Sequence, residues 1–178
     1  MIVNTMLRLM LLLMCVCLTA CSTTAPQKKV ARSSSKTPVT LLTSATRSSD
    51  PLLRANAIEM MQPAIEPLRA AVQRGLVDPN TGVRFVSAMA LGRQKLCGIA
   101  GSARPLLDDP SPSVRAAAMF ALESCGGEID LSPLASMVLS EDRTVRANAA
   151  MVLGEIGQPS AAIILREAMK RPLPLEEA

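Results

Sequence analysis

The chain of 178 residues has no histidine, no tryptophan and no tyrosine, and its aromatic side chains are limited to Phe85 and Phe120. Without histidine, the commonest general base, the usual nitrogen ligand for zinc and any Ser-His or Cys-His nucleophile pair are excluded. Carboxylates alone could still act as a pair. Outside the C-terminal tail the adjacent acids are Asp108-Asp109 and Glu141-Asp142. Both stand at turns before helix-like stretches, where capping and compensation of the helix dipole account for them. No glycine-rich phosphate loop is present. Nucleic acid is an unsuitable partner, because unstacked bases would find almost no aromatic platform. These absences point to a protein with no catalytic residues, no metal site and no cofactor.

Acid is missing from one region. Between Ser22 and Ser49 lie Lys28, Lys29, Arg32, Lys36 and Arg47 with no Asp or Glu, whereas from Asp50 onward the 15 acids outnumber the bases. The positive net charge therefore belongs to this stretch and is not a nucleic-acid footprint. Ser22 to Lys36 is also poor in large apolar groups, which predicts a flexible tether. Fifteen such residues reach roughly 20 Å on average and about 50 Å at most. A solvated spacer is one role for it, and contact of its cations with anionic headgroups is another.

Long apolar runs are scarce as well. Leu9 to Leu18 is a run of ten, too short for a membrane span, which takes about 20 residues. Arg8 precedes it and Leu18-Thr19-Ala20-Cys21 closes it, a pattern that resembles the lipobox of bacterial lipoproteins. The resemblance implies a signal peptide over 1–20, cleavage before Cys21 and acyl chains on Cys21, with two or three chains giving firm anchorage. Ser22 in place of Asp resembles the sorting pattern of outer-membrane lipoproteins. The expected organisation is signal peptide 1–20, acylated basic tether 21–36 and a folded domain over 37–178.

That domain is periodic. Arg54, Arg84, Arg115 and Arg146 recur at intervals of 30, 31 and 31 residues, each within an Ala-rich apolar stretch. The position before each arginine is aliphatic; the third after it is Ala57, Ser87, Ala118 or Ala149, and the seventh is Met61, Leu91, Leu122 or Leu153. At 100° per residue these positions share one stripe, so each stretch is an amphipathic helix. Small residues at the third position allow close approach of neighbouring helices. Less regular helices are expected before them: Pro38 to Arg47, Pro63 to Val77, Gly98 to Asp108 with Pro105 inside it, Glu128 to Leu139, and a last one from Pro159 to Lys170. Pro172 and Pro174 end the helical chain.

Asp78, Pro79, Val83, Arg84, Ala90, Leu91 and Gly92, and again Asp109, Pro110, Val114, Arg115, Ala118, Ala121 and Leu122, form a pattern that resembles the HEAT-like repeats of phycobilin lyases. The resemblance implies an all-α, short right-handed α-solenoid of about four helix pairs. It also implies a ladder of Arg54, Asp78, Arg84, Asp109, Arg115 and Arg146, in which carboxylates and guanidinium groups bridge the turn and the adjacent unit. Asp78 with Arg84, and Asp109 with Arg115, keep a six-residue spacing; Asp50 is only four residues from Arg54, and Ser140 stands where the last acid belongs. Hydroxylases with such repeats use His-Glu motifs, which a chain without histidine cannot supply.

Two features leave alternatives open. Five residues after each arginine come Glu59, Met89, Phe120 and Met151, and Met89, Phe120 and Met151, with Phe85 nearby, form either an exposed apolar ridge for a partner or a row buried by tight winding. Cys97 and Cys125 are either small core residues or a disulfide between neighbouring repeats. The expected function is a membrane-anchored, non-catalytic protein–protein interaction scaffold in the bacterial cell envelope, held through Cys21 and binding an unidentified protein. A structural envelope spacer and a lyase-like small-molecule-binding protein are the alternatives.

Overall fold

The computed structural model describes residues 37–61 and 66–170, all of which lie in the compact unit Lys36–Ala178. The signal segment 1–20, the tether 21–36 with Cys21, and Pro63, Pro172 and Pro174 lie outside the described residues. Within them the elements are α1 (Pro38–Ala45), α2 (Pro51–Met60), α3 (Glu66–Gly75), α4 (Thr81–Arg93), a 3-10 segment (Cys97–Asp108), α5 (Pro112–Glu123), α6 (Ser132–Met137), α7 (Arg143–Ile156) and α8 (Pro159–Met169). No strand occurs among the described residues. The protein is an all-helical array of HEAT-like repeats.

Local chemistry sets the helix starts. Asp50 accepts the Leu52 N–H at 2.9 Å, Asn80 accepts that of Val83 at 3.2 Å, and Asp142 accepts those of Thr144 and Val145 at 2.7 and 3.1 Å. Each satisfies amide donors that have no partner within the helix. At the other end, Gly157 takes the left-handed conformation (φ 68°) and donates its N–H to the Leu153 carbonyl, closing α7. Two expected helices depart from their predicted form. The stretch from Cys97 winds as a 3-10 segment, because Gly98 and Gly101 weaken an α-helix and Pro105 lacks the N–H its interior needs. The helix expected over Glu128 to Leu139 is reduced to the six residues of α6.

The arginine-bearing helices pack in succession, α2 on α4, α4 on α5 and α5 on α7, forming one continuous layer. The preceding elements cover it unit by unit: α3 on α4, the 3-10 segment on α5, α6 on α7. The third-position residues Ala57, Ser87, Ala118 and Ala149 are all buried, as are Met61, Leu91, Leu122 and Leu153 at the seventh. Ser87 satisfies its hydroxyl by donating to the Val83 carbonyl at 2.7 Å, and Gly75 lies so close to it that a methyl group there would collide with the Ser87 hydroxyl. Before the arginine, Val83, Val114 and Val145 are buried, but Leu53 is 47% exposed. On its outer side, among the described residues, its unit is covered by α1, which has no buried residue of its own.

Candidate functional site

Each of the four arginines makes the same backbone contact. Nη1 of Arg54 donates to the carbonyls of Ser48 and Ser49 at 2.9 and 3.0 Å, that of Arg84 to Asp78 and Pro79 at 3.0 and 3.1 Å, that of Arg115 to Asp109 and Pro110 at 2.7 and 3.3 Å, and that of Arg146 to Ser140 and Glu141 at 2.8 and 2.7 Å. The guanidinium thus ties the turn six and five residues upstream to its own helix. The residue six upstream also shapes that turn: Asp78 and Asp109 accept the N–H two residues on, each at 2.9 Å, and Ser48 and Ser140 do so at 3.1 and 3.2 Å.

Only the aspartates do a second job. Arg54 grips Asp78 through Nε and Nη2 at 2.8 and 2.7 Å, and Arg84 grips Asp109 at 2.7 and 3.0 Å. These paired bonds match the planar fork to a carboxylate and join one unit to the next. The six-residue pairing expected within a unit is therefore corrected. Asp78 binds Arg54 and Asp109 binds Arg84 through their carboxylates, while Arg84 and Arg115 reach the same aspartates only at the main chain, because a side chain at that turn points towards the preceding helix. The first unit, whose Asp50 stands only four residues from Arg54, is joined to the ladder through Arg54 and Asp78. Arg115 faces a unit whose turn carries Ser140, so among the described residues no carboxylate reaches it.

The paired carboxyls are displaced from their ordinary range. The Arg84 hydrogen bond, outweighing burial, holds Asp109 low, helped by the Ser111 N–H and the charges of Arg84 and Arg115. Burial pushes Asp78 upward, but the bonds from Arg54 and the Asn80 N–H, with the charges of Arg54 and Arg84, bring it below that range. The Asp109 side chain is 4% exposed and that of Arg84 15%. At such burial the pair matters mainly through the penalty of separating it.

The apolar ridge is not a surface. Met89 is 2% and Phe120 4% exposed, Phe85 is half-buried, and only Met151 is open, at 37%. The expected partner site at Met89 and Phe120 is thus core. The physical reason is that α5 is enclosed by α4, α7 and the 3-10 segment, so nine of its twelve residues are buried and no apolar stripe is left over. Gly92 on α4 makes the room: a Cβ there would stand 2.6 Å from the Phe120 ring. A glycine inside a helical stretch was the available signal of close approach. Beside this row, Arg93 donates to Glu155 at 2.8 Å, lies 3.7 Å from Glu59 and contacts the Met151 sulfur at 3.6 Å, linking α2, α4 and α7. The cleft it borders holds about 70 Å³, far below the few hundred Å³ of a typical ligand site.

Cys97 and Cys125 form a disulfide with their Cα atoms 5.2 Å apart. The reading as two small core cysteines is thereby overturned, and the bond does not link neighbouring repeats either. It joins the start of the 3-10 segment to Cys125, two residues beyond the end of α5, stapling both halves of the third unit. Among the described residues no cluster of His, Cys, Asp and Glu could hold a metal, and no helix is long and apolar enough to cross a membrane.

The remaining surface feature is at the end of the array. An open groove of about 620 Å³ runs between α7 and α8, with apolar walls from Val138, Ala147, Ala150, Leu165, Ala168 and Met169 and with Arg143 and Arg146 at its edge. α8 is lightly held, Ala161 being its single buried residue, and Met169 is 86% exposed. The sequence pattern gave no sign of this groove, because it depends on how α8 packs against α7.

Residues 102–175 match the family described as HEAT repeats. The match begins within the 3-10 segment and takes in the rest of the third unit, the fourth unit and α8, and the same arginine-to-carbonyl pattern recurs at Arg54 and Arg84. HEAT repeats are generally non-catalytic. No curated protein matches the chain.

Proposed function

We propose that the protein is a lipid-anchored, non-catalytic interaction scaffold of the bacterial cell envelope, binding a protein partner at the groove between α7 and α8. HEAT repeats commonly serve as protein-interaction scaffolds, and stacked repeats present extended surfaces suited to that use. The observation that carries the reading is the groove itself: apolar walls along α7 and α8 with Arg143 and Arg146 at the edge. Water-exposed apolar area of this kind favours a covering partner, and Arg146, which no carboxylate among the described residues approaches, favours one that carries acids. The anchor rests on Leu18-Thr19-Ala20-Cys21 and Ser22, which resemble an outer-membrane lipoprotein start. A basic tether from Ser22 to Lys36 would then keep the array within tens of ångströms of the bilayer.

A photoreactive side chain at Ala147 tests the site in intact envelopes. Saturable adducts with a protein, lost when Ala150→Glu places a charge in the groove, are expected; adducts indifferent to Ala150→Glu refute the site. For the anchor, Cys21→Ala should abolish acylation and leave uncleaved precursor, as read by intact mass and membrane fractionation. A soluble wild-type protein with no added mass on Cys21 would end the envelope reading.

A further inference from the structure

We propose that Arg115 and Arg146 form a two-point receptor for carboxylates, which the partner supplies on an acidic protein segment; the place of that segment beside the groove rests on the reading of the groove as the partner site. The first observation is a repeated orientation. In all four units Nη1 clasps two carbonyls of its own turn, so each guanidinium is held alike and presents its Nε–Nη2 edge in the same way. At Arg54 and Arg84 that edge holds a carboxylate, Asp78 at 2.8 and 2.7 Å and Asp109 at 2.7 and 3.0 Å. The planar fork thus already selects carboxylates in this protein.

The second observation is that no carboxylate of the described residues takes this edge at Arg115 or Arg146. The equivalent position of the turn after Arg115 is Ser140, whose hydroxyl accepts the Asp142 N–H. Asp142 itself is committed to the N–H groups of Thr144 and Val145 at the start of α7. The third observation is access. Both arginines are half-buried, and no buried side-chain nitrogen or oxygen of the described residues lacks a hydrogen-bond partner. Nε and Nη2 of Arg115 and Arg146 have none, so these atoms face solvent, where an incoming acid meets them.

Spacing sets the form of the partner. Arg115 and Arg146 hold the same repeat position on α5 and α7, which pack directly on each other. Helices so packed lie about 8–10 Å apart. An extended segment of polyproline type rises about 3.1 Å per residue and returns to one side every third residue, so acids three residues apart meet both forks. Arg146 also edges the apolar groove, which puts apolar residues of the segment next to its acids. Arg143 takes no part in the receptor, having an interaction of its own.

The test uses the full acylated chain in phosphatidylcholine vesicles and a labelled peptide, Glu-Pro-Pro-Glu-Pro-Leu-Leu, followed by fluorescence anisotropy. Saturable binding is expected, weakened about three- to tenfold when either glutamate becomes glutamine, a factor between those of exposed and buried charged pairs. Ser140→Asp puts an acid of the chain itself on the Arg115 fork. It should weaken binding by a similar factor, make one glutamate of the peptide indifferent to that exchange, and leave the unfolding midpoint no lower. Ser136→Asp adds the same charge at an exposed site of the fourth unit and should change binding by less than about twofold, because solvent and salt screen it. No saturable binding, equal effects of the two aspartates, or an affinity unchanged by Ser140→Asp would each overturn the receptor. So would displacement of the peptide by an equal concentration of glycerol phosphate at constant ionic strength, which would assign the forks to a lipid headgroup. In the protein carrying the photoreactive side chain at Ala147, Ser140→Asp should lower partner adducts by about threefold or more. Unchanged adducts overturn the acidic partner and leave the groove reading standing, whereas peptide binding without any partner adducts sinks the groove reading and leaves the carboxylate receptor in place.

Discussion

The junction between the second and third units and the junction between the third and fourth are built from the same helix-on-helix packing, yet they differ at one side chain. At the former, Arg84 reaches across to Asp109 with two bonds of 2.7 and 3.0 Å while also holding its own turn. At the latter, Arg115 holds its own turn, and the equivalent position of the next turn is Ser140, which accepts the Asp142 N–H but offers no charge. The contrast separates two roles that the aspartate combines. Shaping the turn needs only a short oxygen-bearing side chain; joining units needs a carboxylate. The fourth unit is consequently held to the rest by apolar packing of α5 on α7 and by the half-exposed Arg93–Glu155 pair.

The largest effect should come from Arg84→Ala. It leaves the Asp109 carboxylate buried without its partner, which costs about 3 to 5 kcal/mol, read as a fall in the denaturant midpoint. A loss below about 1 kcal/mol would mean that the pair behaves as an exposed one and that the two junctions are equivalent. Reduction of the Cys97–Cys125 bond, which closes a 28-residue span, should cost about 3 to 4 kcal/mol on loop-entropy grounds. The loss should fall on the third unit and leave the Arg54–Asp78 junction protected in amide exchange.

Acid should erode the first two junctions and spare the third. Asp78 and Asp109 have folded-state values below those of the unfolded chain, so their stabilisation is complete above about pH 4 and is lost as pH falls through the lower folded values. Unfolding measured between neutral pH and pH 2 should show this loss in the wild type and a smaller one in Arg84→Ala, where Asp109 has already lost its partner. An identical pH dependence in both proteins would contradict the assignment.

Arg115→Ala removes two bonds from a charged donor to carbonyls and strands no carboxylate, so a cost of about 1 to 2 kcal/mol is expected, clearly less than for Arg84→Ala. The smallest effect, and the sharpest, is Ser140→Asp. It keeps the turn and supplies the missing acid, and should raise stability by up to about 1 kcal/mol. That gain should vanish in the Arg115→Ala background, a coupling measurable by a double-mutant cycle.

Much of this was legible in the residues. The arginine period located the four inner helices, and the third and seventh positions identified core residues that are all buried. The pairing direction of the ladder was not legible, because sequence spacing cannot say which way a turn side chain points; Asp109 is as near Arg115 in sequence as it is tied to Arg84 in space. The disulfide was one of two readings for the same reason. Met89 and Phe120 were ambiguous because helical phase describes one helix, whereas their burial depends on how many neighbours surround it.

The sequence by itself determined the all-helical repeat, its period, the small and apolar positions of its core and the turn chemistry of each unit, since these follow from spacing and local hydrogen bonding. Tertiary structure alone decided which arginine owns which aspartate, that Gly92 seats the Phe120 ring, that Cys97 meets Cys125, and that the last helix leaves a groove beside Arg146. Each of these depends on the rotation and separation of elements distant in the chain, quantities set by the packing of the whole array.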